Sequence, residues 1–319
     1  MSSTDVTRRD FLAGLAAAPL AVQSALTPQT PPPFPIIDTH IHLYDKYRGS
    51  VYPGPGDTAP GLVAYPPRYL ATIQGSGIVG TVVTEASHVP EETQWILDMA
   101  EQNPIIVGHC GFLVFGTPDF GKHFDAFRKS KFFLGVRYRN NVAPPFAEAI
   151  KRPEVLADFK AFADTGLVFE HTAHPRVLLD ITDRAPSARV VVPHLPRVNL
   201  PADRKEAAEY RAALKELGQR QQVSIKLSGV VKFIDGKAVS DVAVLKPWLD
   251  ELWSIFGEDR VMFGSDWPHE TRTRPFKTIM RVAREYMATK GRAAEEKVFW
   301  RNSARIYKWV RRDDSQPLA

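Results

Sequence analysis

The stretch IIDTHIHLYD, residues 36–45, places two histidines one residue apart directly after an apolar run. Because successive side chains of a β-strand point to opposite faces, His40 and His42 are predicted to project from the same side of one strand. Two imidazoles that share one face of a buried strand need polar partners. The stretch therefore predicts a strand that leads into a polar site.

Seven further apolar or β-branched runs follow this strand, with helical patterns between most of them. The eight predicted strands span 35–43, 79–86, 104–115, 132–139, 166–174, 188–195, 223–230 and 260–267. The clearest predicted helices span 90–103, 153–166, 204–221 and 245–257. Runs of Val, Ile and Phe without strict alternation are typical of parallel strands that are covered on both faces. Eight strand–helix units predict an α/β fold, a (β/α)8 TIM barrel, with an open doubly wound sheet as the alternative.

Composition and charge exclude several classes of protein. The 319 residues are 44% hydrophobic and 24% charged, with a formal net charge of +5, which is typical of a globular protein. No apolar stretch reaches the roughly 18 residues of a membrane-spanning helix, so stable membrane insertion is not expected. The basic residues form no stripe with interleaved aromatic residues, so nucleic-acid binding is not expected either. The single cysteine, Cys110, excludes an internal disulfide, and the sequence does not indicate an oligomeric state.

The N-terminal residues are typical of a targeting segment. TRRDFLAGLAAAPLAV, residues 7–22, contains the pair Arg8 and Arg9 before a short Ala/Leu run and resembles the twin-arginine export signal of bacteria. This resemblance implies the twin-arginine export machinery as a partner and the periplasm of a Gram-negative bacterium as the location. The predicted organisation is a signal and Pro-rich linker over 1–30, a barrel domain over 31–312, a tail over 313–319 and a lid within 43–78.

Polar side chains recur at the carboxyl ends of at least six of the predicted strands. In a (β/α)8 barrel these ends share one rim, where the chemistry of such barrels takes place. The residues at these ends are His40, His42, Arg137, Arg139, Glu170, His171, His174, His194, Lys226 and Asp266, and Glu85 and His88 follow the second strand. Each ionisable group taken out of water needs a partner, so a ring of them indicates a functional site.

Two motifs make a resemblance to a known family specific. DTHIHL (38–43) and FGSDWP (263–268) resemble motifs of the amidohydrolase superfamily, in particular its amidohydrolase-related branch of lactonases and non-oxidative decarboxylases. Three more segments follow in the order of that branch: GLVFEHTAHPRVL (166–178), VVVPHLPRV (190–198) and SIKLSGV (224–230). The closing WRNSARIYKW (300–309) also resembles the last helix of the family. The resemblance covers about residues 35–310.

The resemblance implies a site for one divalent metal ion, with zinc as the natural choice for imidazole and carboxylate ligands. The implied ligands are His40, His42, a fifth-strand histidine and Asp266. Of the two fifth-strand histidines, the alignment favours His174 over His171. His194 is implied as the acid/base, and Asp266 as the group that takes a proton from the attacking water. Some lactonases of the branch use the same residues without a metal, so a metal-free hydrogen-bonding cage is the alternative.

Further residues are predicted to bind the substrate. The resemblance implies that Arg137 binds an anionic group, with an ordinary ion pair at the strand end as the alternative. The other predicted substrate-binding residues are His171, Glu170, Lys226 and Trp267. Alternatively, Lys226 has no substrate role and extends along the barrel to expose its ammonium group to solvent at the rim. The mildly positive charge favours an anionic small-molecule substrate.

The favoured function is a hydrolase that opens a lactone or similar cyclic ester by water attack at a carbonyl. One alternative is a metal-dependent non-oxidative decarboxylase of an aromatic or unsaturated acid. The other is a non-catalytic exported protein that binds a ligand through a decayed site. The hydrolase is favoured because GLVFEHTAHP and KLSG resemble the lactonases more closely. The presence of both the His-x-His pair and Asp266 argues against a decayed site.

Overall fold

The computed structural model describes residues 34–48, 63–139, 144–196, 204–234, 237–268 and 274–318. Within them, eight parallel strands form one sheet in which neighbours along the chain are also neighbours in space. The strands are β1 (Ile36–Ile41), β2 (Ile78–Thr84), β3 (Ile106–Gly111), β4 (Phe133–Tyr138), β5 (Val168–His171), β6 (Arg189–Val192), β7 (Val223–Leu227) and β8 (Val261–Phe263). All eight predicted strands are present. The uninterrupted order is that of a barrel, because a doubly wound sheet reverses its strand order.

The ring of strands closes between β8 and β1. The main-chain N–H of Asp266 donates to the His40 carbonyl at 2.8 Å, and that of His42 donates to the Trp267 carbonyl at 2.7 Å. Gly264 permits this close approach, because a Cβ at this position would lie 2.7 Å from the Cβ of His40. The predicted (β/α)8 barrel is therefore confirmed, and its closure brings the first and last motifs of the sequence together.

Helices connect the strands and cover the outside of the ring. They are α1 (Pro66–Ile73), α2 (Pro90–Gln102), α3 (Phe120–Phe127), α4 (Phe146–Ala149), α5 (Pro153–Ala163), α6 (Pro175–Arg184), α7 (Arg204–Gly218), α8 (Val242–Phe256), α9 (Phe276–Ala288), α10 (Arg292–Glu296) and α11 (Asn302–Tyr307), with a π-helical turn over Lys297–Arg301. The layer between strands and helices is apolar, and the Phe146 ring packs 4.7 Å from that of Phe169 and 5.2 Å from that of Phe159. Among the described helices, none is both long and apolar enough to cross a bilayer.

Short pairs of strands and the C-terminal residues complete the structure. Tyr44–Asp45 pairs antiparallel with Val63–Ala64, a 3-10 helix spans Lys46–Arg48, and Lys232–Ile234 pairs antiparallel with Lys237–Val239. Residues 49–62 of the predicted lid and the predicted signal and linker over 1–30 lie outside the described residues. The predicted tail over 313–319 is anchored to the barrel, since the buried Gln316 donates to two main-chain carbonyls, each at 2.9 Å.

Candidate active site

Three imidazoles and one carboxylate meet at the carboxyl ends of β1, β6 and β8. His40 Nε2 lies 3.2 Å from His42 Nε2. Asp266 Oδ1 lies 3.4 Å from His40 Nε2, 3.3 Å from His42 Nε2 and 4.0 Å from His194 Nε2. The structure thus brings together four of the predicted site residues.

Main-chain carbonyls fix the orientation of His42. Its Nδ1 lies 3.1 Å from the carbonyl oxygen of Thr84 and 3.0 Å from that of Glu85. Carbonyl oxygens only accept, so Nδ1 carries the proton of the neutral ring and the lone pair on Nε2 faces Asp266. Burial lowers the pKa of His42 to about 4, although the negative charge of Asp266 opposes this shift. His42 is therefore neutral at pH 7, as a metal ligand or hydrogen-bond acceptor must be.

His194 is held from the other side of the barrel mouth. Its Nδ1 lies 3.2 Å from the hydroxyl oxygen of Ser228, and its ring centroid lies 4.5 Å from that of His40. Burial lowers the pKa of His194 to about 3, against the opposing charge of Asp266 and with the help of the positive charge of Arg137. The ring is neutral at pH 7, and when the Ser228 hydroxyl donates to Nδ1, Nε2 carries a proton that it can donate to a substrate.

Asp266 lies in a turn that its neighbours hold tightly. Its φ of +62° is in the left-handed region, which is uncommon for residues other than glycine. The main-chain N–H and hydroxyl of the preceding Ser265 both donate to the buried carboxylate of Asp38, at 2.8 and 2.6 Å, and the Tyr69 hydroxyl donates to the same carboxylate at 2.9 Å. Such a conformation persists where surrounding contacts over-determine it. These contacts direct the Asp266 carboxylate toward the imidazoles.

A buried ion pair lies behind His40, inside the barrel. Lys226 Nζ donates to Glu170 Oε1 at 2.7 Å and to the Thr39 carbonyl at 2.6 Å, and it lies 3.4 Å from His40 Nδ1. The Tyr307 hydroxyl donates to Glu170 Oε1 at 2.6 Å. Burial alone would raise the pKa of Glu170, but the charge and hydrogen bond of Lys226 and the hydrogen bond of Tyr307 hold it below its ordinary value. Lys226 is fully buried, so the alternative interpretation of it as an exposed rim residue is wrong.

The structure corrects the prediction that His174 is a metal ligand. β5 ends at His171, and His174 is an exposed residue that begins α6. Its Nδ1 accepts a hydrogen bond from the main-chain N–H of Arg176 at 3.2 Å, and its ring packs against Tyr210. His174 is thus a helix cap. Pro175 is the signal in the sequence, because proline is common at the first position of a helix and the residue before it then caps that helix.

His171 and Trp267 are buried and pack against aromatic rings. His171 Nδ1 lies 2.6 Å from the Tyr138 carbonyl oxygen, and its ring packs 5.7 Å from that of Phe146, on the helix-facing side of β5. The ring of Trp267 lies 5.1 Å from that of Tyr69 on α1. These contacts are those of packing residues. Contact of His171, Trp267, Glu170 or Lys226 with a substrate stays a prediction.

Two arginines from the end of β4 reach the same mouth. Arg139 Nε forms an ion pair with Glu85 Oε1 at 2.9 Å. Arg137 Nη1 is buried and has no hydrogen-bond partner among the described residues. The positive charge of Arg137 contributes to the lowered pKa of both His42 and His194. Arg137 therefore offers a buried donor to a ligand.

The donor set fits a divalent metal ion. His40, His194 and Asp266 each offer one ligand atom, and these atoms lie within 4.8 Å of one another. Ligand atoms about 2.0–2.2 Å from a tetrahedral zinc ion lie about 3.3–3.6 Å apart. The distances of 3.2 to 3.4 Å that join His40, His42 and Asp266 are close to this range. Burial keeps these imidazoles neutral, so the cluster can hold a metal ion.

Comparisons with known proteins agree with this site. Residues 37–309 match the sequence model of the amidohydrolase family. An L-fucono-1,5-lactonase of Burkholderia multivorans is 25% identical over 280 residues, which are 84% of this chain and 94% of that protein. A zinc-bound amidohydrolase structure from Burkholderia multivorans superposes with a TM-score of 0.77 at 20% identity, over 86% of this chain and all of that one. A probable 2-pyrone-4,6-dicarboxylic acid hydrolase from Acinetobacter baumannii, with citric acid bound, gives 0.69 at 18% identity, over 86% and 99% of the two chains.

Proposed function

Because this chain belongs to the amidohydrolase family, we propose that it is a hydrolase that opens a lactone by adding water to its carbonyl carbon. The match confirms the predicted family. Relatives named for lactone hydrolysis support the predicted reaction. The observation that carries the proposal is the position of the Asp266 carboxylate within 4.0 Å of three neutral imidazoles at the barrel mouth.

We also propose that the site binds one divalent metal ion, with zinc as the first candidate. His40, His42 and Asp266 would hold it, with His194 at the open side. The zinc-bound relative and the distances of 3.2 to 3.4 Å that join these donor groups both support this assignment. Such an ion supplies Lewis acidity, which lowers the pKa of water and polarises a carbonyl.

The protein groups can carry out the proton transfers of the reaction. Asp266 accepts a proton from the attacking water as the water oxygen bonds to the lactone carbonyl carbon. His194 Nε2 donates a hydrogen bond to the carbonyl oxygen, where negative charge develops. When the ring C–O bond breaks, Asp266 returns its proton to the departing alkoxide. One water is consumed, and the product is a hydroxy acid.

We assign Arg137 to binding the carboxylate that forms when the lactone ring opens. Ring opening turns an uncharged ester into an anion, and a guanidinium group binds carboxylates through two parallel hydrogen bonds. Because Arg137 Nη1 is buried without a partner among the described residues, the new carboxylate satisfies a donor that is otherwise unpaired. The predicted preference for an anionic substrate stays a prediction, and the role proposed here for Arg137 is to bind the anionic product.

A lactone screen with proton-release detection tests the reaction. Purified protein is assayed at pH 7 with sugar lactones, dicarboxylate lactones and carboxylated aromatic acids, while carbon dioxide is measured in parallel. Acid release on a lactone without carbon dioxide is the expected result. Carbon dioxide from a carboxylated substrate would instead establish the decarboxylase alternative.

The variant Asp266→Asn is expected to lower kcat by two or more orders of magnitude, because the amide can neither accept the water proton nor return it. The measurement is initial-rate kinetics on the lactone found in the screen, with circular dichroism to check the fold. Asp125→Asn is the matched control, since Asp125 is an exposed carboxylate on α3. Turnover of Asp266→Asn within a few-fold of wild type would contradict the mechanism.

We further propose that the twin-arginine segment at Arg8 and Arg9 exports the folded protein to the periplasm. The support is the sequence of residues 7–22 alone. Cell fractionation of the wild-type chain and of Arg8→Lys/Arg9→Lys tests this: periplasmic wild type and cytoplasmic variant are expected. Equal distribution of the two chains would contradict it.

A further inference from the structure

Glu85 places a buried carboxylate beside the active site, directly after β2. Its main-chain N–H donates to the Cys110 carbonyl at 2.8 Å, and its own carbonyl oxygen lies 3.0 Å from His42 Nδ1. The side chain is only 2% exposed. Oε1 is paired with Arg139 Nε at 2.9 Å, while Oε2 is buried with no hydrogen-bond partner among the described residues. A buried carboxylate oxygen without a donor is costly, so Oε2 is expected to receive a donor from a ligand.

β4 contributes an unmatched donor. Arg137 Nη1 is buried without a partner among the described residues. The charges of Arg139 and Arg137 both act on Glu85, and together they offset part of the rise in its pKa that burial causes. Arg137 lies on β4, and the charge of its guanidinium acts also on His42. The mouth therefore offers one acceptor and one donor to the same bound molecule.

The charge balance of the mouth decides which molecule fits these two groups. Among the described residues, Arg139 is neutralised by Glu85 and Lys226 by Glu170. The one positive charge of Arg137 is then matched in number by the one negative charge of Asp266, so these six groups carry no net charge. A lactone that carried carboxylates of its own would bring further negative charge next to Glu85 and Asp266, and like charges at short range in a buried site repel strongly. A hydroxyl group, by contrast, can donate to Glu85 without a charge penalty.

We propose that Glu85 Oε2 accepts a hydrogen bond from a hydroxyl group of the substrate and thereby selects uncharged, hydroxylated lactones over lactones that carry carboxylates. This inference rests on the proposed lactone hydrolysis. Glu85 is a specificity-determining residue in this account. Arg137 takes the carboxylate that the ring opening creates, and Glu85 takes a hydroxyl that is present before and after the reaction.

A purely structural role for Glu85 makes a different prediction. If Glu85 acts only by orienting Arg139 and by supporting His42 through its main chain, its replacement affects every ligand of the site alike. Recognition of a hydroxyl group instead affects hydroxylated ligands and leaves unsubstituted ones unchanged. The ratio of two affinities therefore separates the two roles.

Binding of stable ring analogues measures this ratio. The probes are a trihydroxylated δ-lactam, the unsubstituted δ-valerolactam and pyridine-2,4-dicarboxylate, titrated calorimetrically into wild type, Glu85→Gln and Glu85→Met. Glu91→Gln is the matched control, because Glu91 is an exposed glutamate on α2. Wild type and the control are expected to bind the hydroxylated lactam at least about tenfold more tightly than δ-valerolactam. Wild type is expected to bind pyridine-2,4-dicarboxylate more weakly than the trihydroxylated δ-lactam.

The variants are expected to lose this preference. Glu85→Gln should reduce the ratio of the two lactam affinities by about threefold, because its amide oxygen is an uncharged acceptor, and Glu85→Met should abolish the preference, while δ-valerolactam affinity stays constant. If Glu85→Met fails to fold, the ratio of lactam affinities measured for Glu85→Gln alone tests the inference. An unchanged ratio in the folded variants, equal losses for both lactams, or tighter wild-type binding of the dicarboxylate would overturn the inference.

Turnover assays distinguish a failure of this inference about Glu85 from a failure of the proposed function. A chain that hydrolyses lactones but shows no hydroxyl preference contradicts the role of Glu85 and keeps the hydrolase. A chain that binds hydroxylated rings through Glu85 but opens no lactone contradicts the hydrolase and keeps the recognition of hydroxyl groups.

Discussion

Glu170 is a buried carboxylate whose donors come from distant parts of the chain, Lys226 on β7 and Tyr307 at the end of α11. Because Lys226 also contacts the Thr39 carbonyl and approaches His40, this group connects the last helix to the active site. Breaking a buried pair leaves an uncompensated charge, which costs about 3–5 kcal/mol. The residues behind the imidazoles therefore stabilise the fold and position His40 at the same time.

Tyr307→Phe tests this connection. Loss of the hydroxyl removes one donor from Glu170 and is expected to lower the free energy of unfolding by about 1–3 kcal/mol. Tyr307 helps to hold the pKa of Glu170 below that of an unfolded glutamate, so its contribution is present above about pH 4.3 and is lost as the pH falls. Urea unfolding at pH 7 and pH 4 measures both effects. Tyr47→Phe, at an exposed tyrosine, is the control, and equal stability of the two variants would contradict the assignment.

At the scale of the elements, the approach of β8 to β1 determines the site. Asp266 reaches the imidazoles because its turn is bonded to β1 through main-chain groups. Within the same turn, Ser265 donates two hydrogen bonds to the Asp38 carboxylate of β1. A small change in the distance between the two strands therefore moves the carboxylate relative to His40 and His42, and such displacements strongly reduce the rates of enzymes.

Gly264→Ala should separate these strands. The added Cβ would lie 2.7 Å from the Cβ of His40, so β8 must shift, at a cost of about 1–3 kcal/mol. We expect a fall in kcat of at least about tenfold together with a lower melting temperature. Gly121→Ala in α3 is the control, because no heavy atom lies within 4 Å of its added Cβ. Wild-type activity and stability in Gly264→Ala would show that the strand approach tolerates the methyl group.

At the scale of the whole molecule, a metal ion at the mouth would join the two ends of the ring. Zinc at 100 times its Kd is expected to stabilise the folded protein by about 2.7 kcal/mol. Calorimetric melting of metal-free protein, with and without zinc, measures this shift. His42→Ala is expected to abolish the shift, while His174→Ala keeps it, because His174 caps a surface helix. A shift that depends on His174 instead would restore the ligand set implied by the sequence resemblance.

Much of the whole fold was predictable from the sequence, and the reasons are physical. Buried parallel strands need continuous apolar runs, which are visible without a structure, and the two-residue spacing of His40 and His42 places them on one face. The end of β5 was not predictable from its apolar run, since Pro175 begins a helix there and turns His174 into a cap. Partners such as Tyr307 and Ser228 are distant in sequence from the groups they contact, so no local pattern indicates them.

The carboxylate that completes the catalytic cluster lies only after β8, behind more than four-fifths of the polypeptide. On the proposed mechanism, a nascent chain on the ribosome carries its imidazole pair early but is expected to stay inactive until its final strand has been synthesised and has packed against the first. We therefore expect a C-terminal truncation before residue 266 to be catalytically inactive, whatever secondary structure it retains, because it lacks the residues that hydrogen-bond to β1.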